Sequence, residues 1–375
     1  MNDKQPFALG HASSANWQEA VDSCLAQLGE ISDAANLGFV YVADSYANHL
    51  QDIYERLRNT TAVQHWVGTV GIGICATATE YHQTPAIAIM IGDFPADSFR
   101  VLPFYNRAAD HLPGGWEDWL QSSPGHLAVI HGDPTNGNVP RLLGQLYEEL
   151  PGGYLVGGLS SSEGANPQIA DDLLEGGLSG VVFNDQVAVA TALSQGCTPI
   201  AGKHTITDCD SNIINYIDQR HALDVFNEDI GEILARDLNR AAGYIFAGLP
   251  IENSDTGDYL VRNLIGIDTE GKRIAIGDMI HPGQKIQFCR RDGKSAQEDM
   301  QRMLDDLGKR VNGTPRGGLY YSCLGRGEAL FGEDSAELKM IQETLGDFPL
   351  VGFFANGEIF NQRLYGYTGV LTLFV

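Results

Sequence analysis

The sequence predicts an α/β protein made of repeated β-α-β-β units, forming layered mixed sheets covered by helices in two closely packed halves. Two observations lead there. One order of elements recurs three times: an apolar strand after glycine, a polar loop, an amphipathic helix, then a strand ending in glycines, each followed by a further β-rich run. The strands are apolar at nearly every position rather than alternately, which marks burial on both faces, and a sheet of that kind needs helices over it.

In chain order, residues 1–30 read as an N-terminal lead-in. The first copy, residues 38–74, is GFVYVADSYANHLQDIYERLRNTTAVQHWVGTVGIGI, followed by the β-rich PAIAIMIGDF. The second, residues 125–164, is GHLAVIHGDPTNGNVPRLLGQLYEELPGGYLVGGLSSSEG; its helix carries Leu142, Leu143, Leu146 and Leu150 at three- and four-residue spacing. SGVVFNDQVAVATAL continues it. The texture then changes to TPIAGKHTITDCDSNIINYIDQRHALDVF, a hairpin-like pair of runs about the turn-forming DCDSN. A helical region is expected from Asn227 to about Ala247. After the polar ENSDTGDY come three strands, YLVRNLIGID, KRIAIGDMI and KIQFCRR, the first two joined by turn residues Thr269 to Gly271. Residues 296–311 read as a helix on the spacing of Met300, Met303, Leu304 and Leu307. The third copy is the tail, residues 317–375: GLYYSCLGRGEALFG, an amphipathic helix, PLVGFFANGEI, and the strand GYTGVLTLFV. A boundary near Arg220 divides the chain into domains over 31–220 and 221–375.

The balance of 48 acidic to 24 basic residues, a net charge of −24, opposes sequence-independent attraction to phosphate backbones or anionic lipid. Neither nucleic acid nor a membrane is expected as a partner. The start, MNDKQPFALGHASS, lacks the basic and apolar run of a secretory signal, and no segment approaches the roughly 18 apolar residues of a membrane span, so a cytoplasmic location is expected.

Six cysteines (Cys24, Cys75, Cys197, Cys209, Cys289, Cys323) are scattered without CxxC or zinc-like spacing, which argues against a disulfide framework or a structural metal. GxxxxGK[ST], HExxH, GxSxG and a helix-opening GxGxxG are all missing. These absences point away from the common phosphate-cradling and hydrolytic enzymes.

SCLGRGEALFG and GFFANGEI resemble the Cys-x-Gly-Arg-Gly and Gly-Phe-x-x-x-Gly-Glu-Ile signatures of the FIST family, here Cys323, Gly325, Arg326 and Gly327, then Gly352, Phe353, Gly357, Glu358 and Ile359. GGLSSSEG, GLSGVVF and SQGCTPIAG are also similar to family segments, and the resemblance runs from about Gly38 to Phe374. It implies an N-terminal FIST domain followed by a FIST C-terminal domain. It further implies a non-enzymatic sensory protein that binds a small ligand such as an amino acid and acts through a separate partner, a histidine kinase or a cyclic-di-GMP enzyme. One branch of the family implies an alternative, a haem-bound nitric-oxide sensor.

The candidate ligand-binding residues are Arg326, Cys323, Asn356, Glu358 and Ser161. A guanidinium in the Gly-Arg-Gly loop can grip a carboxylate through two parallel hydrogen bonds, or else pair with an internal acid such as Glu358. Glu358 can meet a ligand amine or accept backbone N–H bonds, with Asn356 and Asn361 adding amides nearby. Arg326 and Glu358 together match a zwitterionic amino acid, the ligand class the resemblance implies. Cys323 is a candidate thiol nucleophile, which would make the protein a thiol-dependent enzyme, or else a buried thiol. Ser160, Ser161 and Ser162, with Glu163, end the second copy's strand and either line a pocket or form a polar turn. For haem, His204 is the leading axial ligand, with His49, His65, His82, His131 and His221 as rivals; without CxxCH any haem would be non-covalent.

Overall fold

The computed structural model describes residues 6–107, 111–122, 126–235, 244–251 and 259–375. The chain forms two compact units. The first combines the chain up to Ser194 with Met300–Leu364 and Thr368–Val375; the second holds Gln195–Asp299 and Tyr365–Tyr367.

In the first unit the expected lead-in carries β1 (Phe7–Ser13) and the helix Trp17–Leu28, whose N-terminal amides at Gln18 and Glu19 are capped by the Asn16 side chain. The first copy then runs β2 (Leu37–Ala43), helix Leu50–Thr61, β3 (His65–Gly71), the hairpin β4 (Gly73–Ala76) and β5 (Thr79–His82), and β6 (Ala86–Gly92). β2 pairs in parallel with β3, β6 lies antiparallel on the other side of β2, and β1 lies on β6. The second copy repeats this: β7 (Phe99–Tyr105), β8 (Leu127–Gly132), helix Val139–Glu149, β9 (Tyr154–Leu159), the hairpin β10 (Gln168–Ala170) and β11 (Leu173–Leu174), then β12 (Leu178–Phe183). β8 and β9 are parallel, and β12 joins β8 to β7. Gly125, where the copy was expected to start, lies outside the described residues.

After β13 (Val189–Gln195) the chain builds the second unit: β14 (Cys197–Pro199), β15 (His204–Asp210), β16 (Ile213–Ile217), β17 (Arg220–His221), β18 (Ile245–Pro250), β19 (Tyr259–Asp268), β20 (Arg273–Ile276) and β21 (Lys285–Arg291). The DCDSN turn is present, with Ser211 in the left-handed region between Asp210 and Ile213. The β19–β20 turn is also where expected, its amides at Glu270 and Gly271 donating to Asp268. The helix expected from Asn227 to about Ala247 differs. It spans Ala222–Ala235, is broken at Gly231, and gives way to a strand by Ile245. Ala247 is buried and paired with Phe288, so sheet pairing takes these residues out of the helix. Residues 236–243, and ENSDTGD at 252–258, lie outside the described residues.

The helix Gly293–Arg310 leads to the third copy. It has β22 (Gly317–Cys323), short helix Glu328–Phe331, helix Ala336–Leu345, β23 (Leu350–Ala355), the strands β24 (Glu358–Phe360) and β25 (Arg363–Tyr365), and β26 (Thr368–Phe374). β22 is parallel to β23 and antiparallel to β26.

Three six-stranded sheets result, in the orders β1-β6-β2-β3-β10-β11, β7-β12-β8-β9-β24-β25 and β13-β26-β22-β23-β4-β5. Each has the same plan, and each is finished by a pair of short strands from another copy. The second copy's pair completes the first sheet, the third copy's completes the second, and the first copy's completes the third. Helices cover the outer faces: Leu50, Ile53 and Leu57 lie over Val40, Val42 and Val70, and Leu142, Leu143 and Leu146 over Ala128 and Ile130. On the inner faces Phe39, Phe183 and Phe374, one from each sheet, meet with ring centroids 5.7–6.1 Å apart.

One position recurs in all three parallel pairs. Gly68, Gly157 and Gly352 sit opposite Val40, Ile130 and Tyr320, and a Cβ on any of them would come within 1.6–1.9 Å of that partner's carbonyl oxygen. This explains the recurring Val-Gly in the second strand of each copy.

Candidate functional site

The residues immediately after those glycines' cross-strand partners, Tyr41, His131 and Tyr321, occupy matching register positions opposite Thr69, Gly158 and Phe353. The three side chains meet. Tyr41 Oη lies 3.0 Å from His131 Nε2 and 2.8 Å from Tyr321 Oη, and all three residues are fully buried against Phe353. Burial lowers the His131 pKa to about 3, so the ring is neutral, and pushes Tyr41 and Tyr321 up. His131 Nδ1 has no hydrogen-bond partner. A polar layer continues from this cluster: Thr69 Oγ1 to Ser160 Oγ at 2.6 Å, and Ser179 Oγ to Gln168 Oε1 at 2.6 Å.

The carboxyl-terminal ends of the parallel strands converge beside this core. Ser161 Oγ accepts from Ile72 N at 2.9 Å and donates to the Phe354 carbonyl, so it stitches the ends of β3, β9 and β23 together. Asn356 N donates to Leu159 O at 3.0 Å, and Leu324 N to Ala355 O at 3.1 Å. Cys323 stands opposite Ala355, and Glu358 opposite Gly158. Cys323, Asn356, Glu358 and Ser161 are thus brought to one place. Ser160 is buried in the polar layer, while Ser162 and Glu163 form an outer turn, with Gly164 N donating to Ser162 Oγ and Glu163 N to Asp44.

Arg326 points inward. It is 1% exposed, its Nε donates to Glu337 Oε1 at 2.7 Å, and its remaining donors reach Ser194 and Tyr320 while the guanidinium lies over Phe331. Glu337 also accepts from Tyr320 Oη, Ser322 Oγ and Gly327 N. Burial opposes the arginine's charge, but Glu337 and Tyr320 outweigh it and hold its pKa above the ordinary value. The internal acid that pairs with Arg326 is therefore Glu337, not Glu358. Gly327 must be glycine, because its φ is +60° and a Cβ would lie 2.5 Å from the His82 ring.

Glu358 is fully buried. Its Oε2 accepts from Thr368 N and Oγ1 at 3.1 and 2.7 Å, and Oε1 has no hydrogen-bond partner. Burial raises its pKa to about 8, against smaller lowering by Thr368, Arg326 and the Cys323 thiol. The group is mostly a neutral carboxylic acid at neutral pH. Cys323 is partly exposed and its Sγ lies 3.5 Å from Gly325 N. Asn356 is exposed, and Asn361 Oδ1 has no partner.

His204 lies in the second unit, with Nδ1 2.7 Å from Asp218 and Nε2 3.0 Å from Asp229. Both ring nitrogens are spent on carboxylates, so iron could bind it only by displacing one of them. The rivals fit haem no better. His65 and His82 are held by Asp171 and Glu80, His49 stacks on Trp17, His221 stacks on Tyr216, and His131 is enclosed by aromatic rings. No group of three or more metal-ligating side chains occurs among the described residues, and no described helix is long and apolar enough to cross a membrane.

Sequence reasoning missed Glu337, Tyr41, Tyr321 and Thr368. A signal for Glu337 was available, since it shares the buried helix face of Leu338, Ile341 and Leu345. A carboxylate on such a face needs a buried partner.

The family model for the FIST N domain matches residues 36–220, and that for the FIST C domain matches residues 222–361. An uncharacterised protein of Mycobacterium tuberculosis is 28% identical over 344 residues, covering 88% of this chain and 89% of its own length. An uncharacterised protein of Mycobacterium bovis is 26% identical over 372 residues, covering 96% and 95%. The compact units do not follow the two models: residues 317–361 of the third copy, matched by the second model, lie in the unit that holds most of the first.

Proposed function

The chain belongs to the FIST family, whose domains are generally signal-transduction sensory domains, and from that premise we propose that it is a non-enzymatic sensor binding a small ligand at the joined strand ends. Cys323, Asn356 and Glu358 are the contact residues, and Ser161 holds the strand ends that carry them. The observation that carries the reading is Glu358: a fully buried carboxyl with one oxygen unpaired, at the carboxyl ends of parallel strands where α/β sheets collect ligands.

The charge pattern narrows the ligand. A zwitterion gripped between Arg326 and Glu358 is not the form we propose, because the guanidinium is spent on Glu337 and the carboxyl is largely neutral. A ligand with a hydrogen-bonding carbonyl or hydroxyl group suits a carboxylic acid, an amide and a thiol better. Signalling follows if the ligand binds one conformation of the strand ends more tightly than another, and its output passes to a separate protein of the histidine-kinase or cyclic-di-GMP type.

The test is a thermal-shift and calorimetric screen of small polar metabolites. A ligand at 100 times its Kd adds about 2.7 kcal/mol of stability. Saturable binding abolished by Asn356→Ala supports the site; binding that ignores Asn356→Ala and Cys323→Ser removes it.

A further inference from the structure

We propose that Cys323 captures small α,β-unsaturated carbonyl compounds covalently, with the Glu358 carboxylate accepting the thiol proton and the Asn356 amide donating to the ligand's carbonyl oxygen. The inference rests on the ligand-binding reading of these strand ends and names the chemistry of that ligand.

Four cysteines, Cys24, Cys75, Cys197 and Cys289, are buried; only Cys209 and Cys323 reach the surface in part. Their surroundings differ in sign. The Cys209 thiol donates to the Ile280 carbonyl, and burial with Asp208 and Asp210 on either side pushes its pKa up. The Cys323 sulfur instead accepts a backbone hydrogen bond from Gly325 N at 3.5 Å. The same thiol interacts with the Glu358 carboxyl, which is fully buried and has Oε1 without a hydrogen-bond partner. An ordinary carboxylate is a weaker base than a thiolate by about 4 pKa units, too weak to take its proton readily. Burial removes that mismatch by bringing Glu358 up to about 8. Asn356 follows Ala355, the residue opposite Cys323, and its side chain is exposed to an incoming molecule.

The step balances without an oxidant. The thiol proton passes to the ionised form of Glu358, the minor form at neutral pH, as Sγ adds to the β-carbon, and an S–C bond forms. The π pair of the C=C bond moves to the α-carbon and carbonyl oxygen as an enolate, stabilised by the Asn356 amide, and Glu358 returns the proton to the α-carbon. Nothing leaves, and the product is a thioether.

The experiment labels the full-length protein with limiting N-ethylmaleimide at neutral pH and maps the adduct by peptide mass. The first adduct is expected on Cys323, and Glu358→Gln slows it by at least about tenfold while leaving Cys209 unchanged. Asn356→Ala, at an exposed position that does not threaten the fold, slows maleimide addition by about tenfold but leaves the carbonyl-free reagent methyl methanethiosulfonate unaffected. Labelling of Cys209 first, or an Asn356→Ala effect equal for both reagents, overturns the proposal. If Cys323 takes no adduct while a metabolite still binds in an Asn356-dependent way, covalent capture is wrong and the ligand site stands; loss of both overturns the two together.

Discussion

Arg326 and Glu337 form an ion pair at 2.7 Å with no solvent exposure on either side chain. Glu337 also receives the Tyr320 and Ser322 hydroxyls and the Gly327 amide, so the pair organises the loop that carries the Gly-Arg-Gly signature. Removing either partner strands a buried charge. Arg326→Ala and Glu337→Ala are each expected to cost about 3–5 kcal/mol, read by urea unfolding, with strong coupling in the double variant. A stable Arg326→Ala protein would contradict this role.

Tyr41 is the shared member of the three-ring cluster. Tyr41→Phe removes the partner of both His131 Nε2 and Tyr321 Oη and is expected to destabilise by about 1–3 kcal/mol. Tyr321→Phe keeps the Tyr41–His131 bond and should cost less. Denaturant midpoints for the two variants decide the order.

Glu358 gives stability a pH dependence of definite sign. Its pKa of about 8 in the folded chain exceeds the roughly 4.3 of a free glutamate, so the folded state binds more protons between those values. Its contribution is fully present below about pH 4 and declines as pH rises through about 8. Relative to wild type, Glu358→Gln is expected to flatten that decline, and parallel pH profiles of the two proteins would rule it out.

The two family-model regions are not expected to fold apart. A chain ending at residue 220 lacks β24, the partner of β9, and β23, the partner of β4. It should show no cooperative thermal transition and bind a hydrophobic dye. A sharp transition in that fragment would show that the strand exchange is dispensable.

The β-α-β-β copies were legible because their signals are local: full-length apolar strands and helices such as Val139–Glu149 with leucines on one face. β10 and β11, at three and two residues, are too short to carry a pattern, and their pairing with a distant strand leaves no trace in spacing. The same reason hid the role of residues 7–13, which pair with Ala86–Gly92. At the site, Cys323, Asn356 and Glu358 stood out by their glycine-rich surroundings. Whether Arg326 faces a ligand or an acid is decided by Glu337, eleven residues on, and only packing of that helix reveals it.

The exchanged strand pairs also set a schedule for synthesis. Ala76 pairs with Val351, 275 residues later (351 − 76). At about 5–20 residues per second the ribosome needs roughly 14–55 s to supply that partner. Throughout this interval the edge of β4 that receives β23 stays open, whereas a string of independently closing modules would close each edge as it is made.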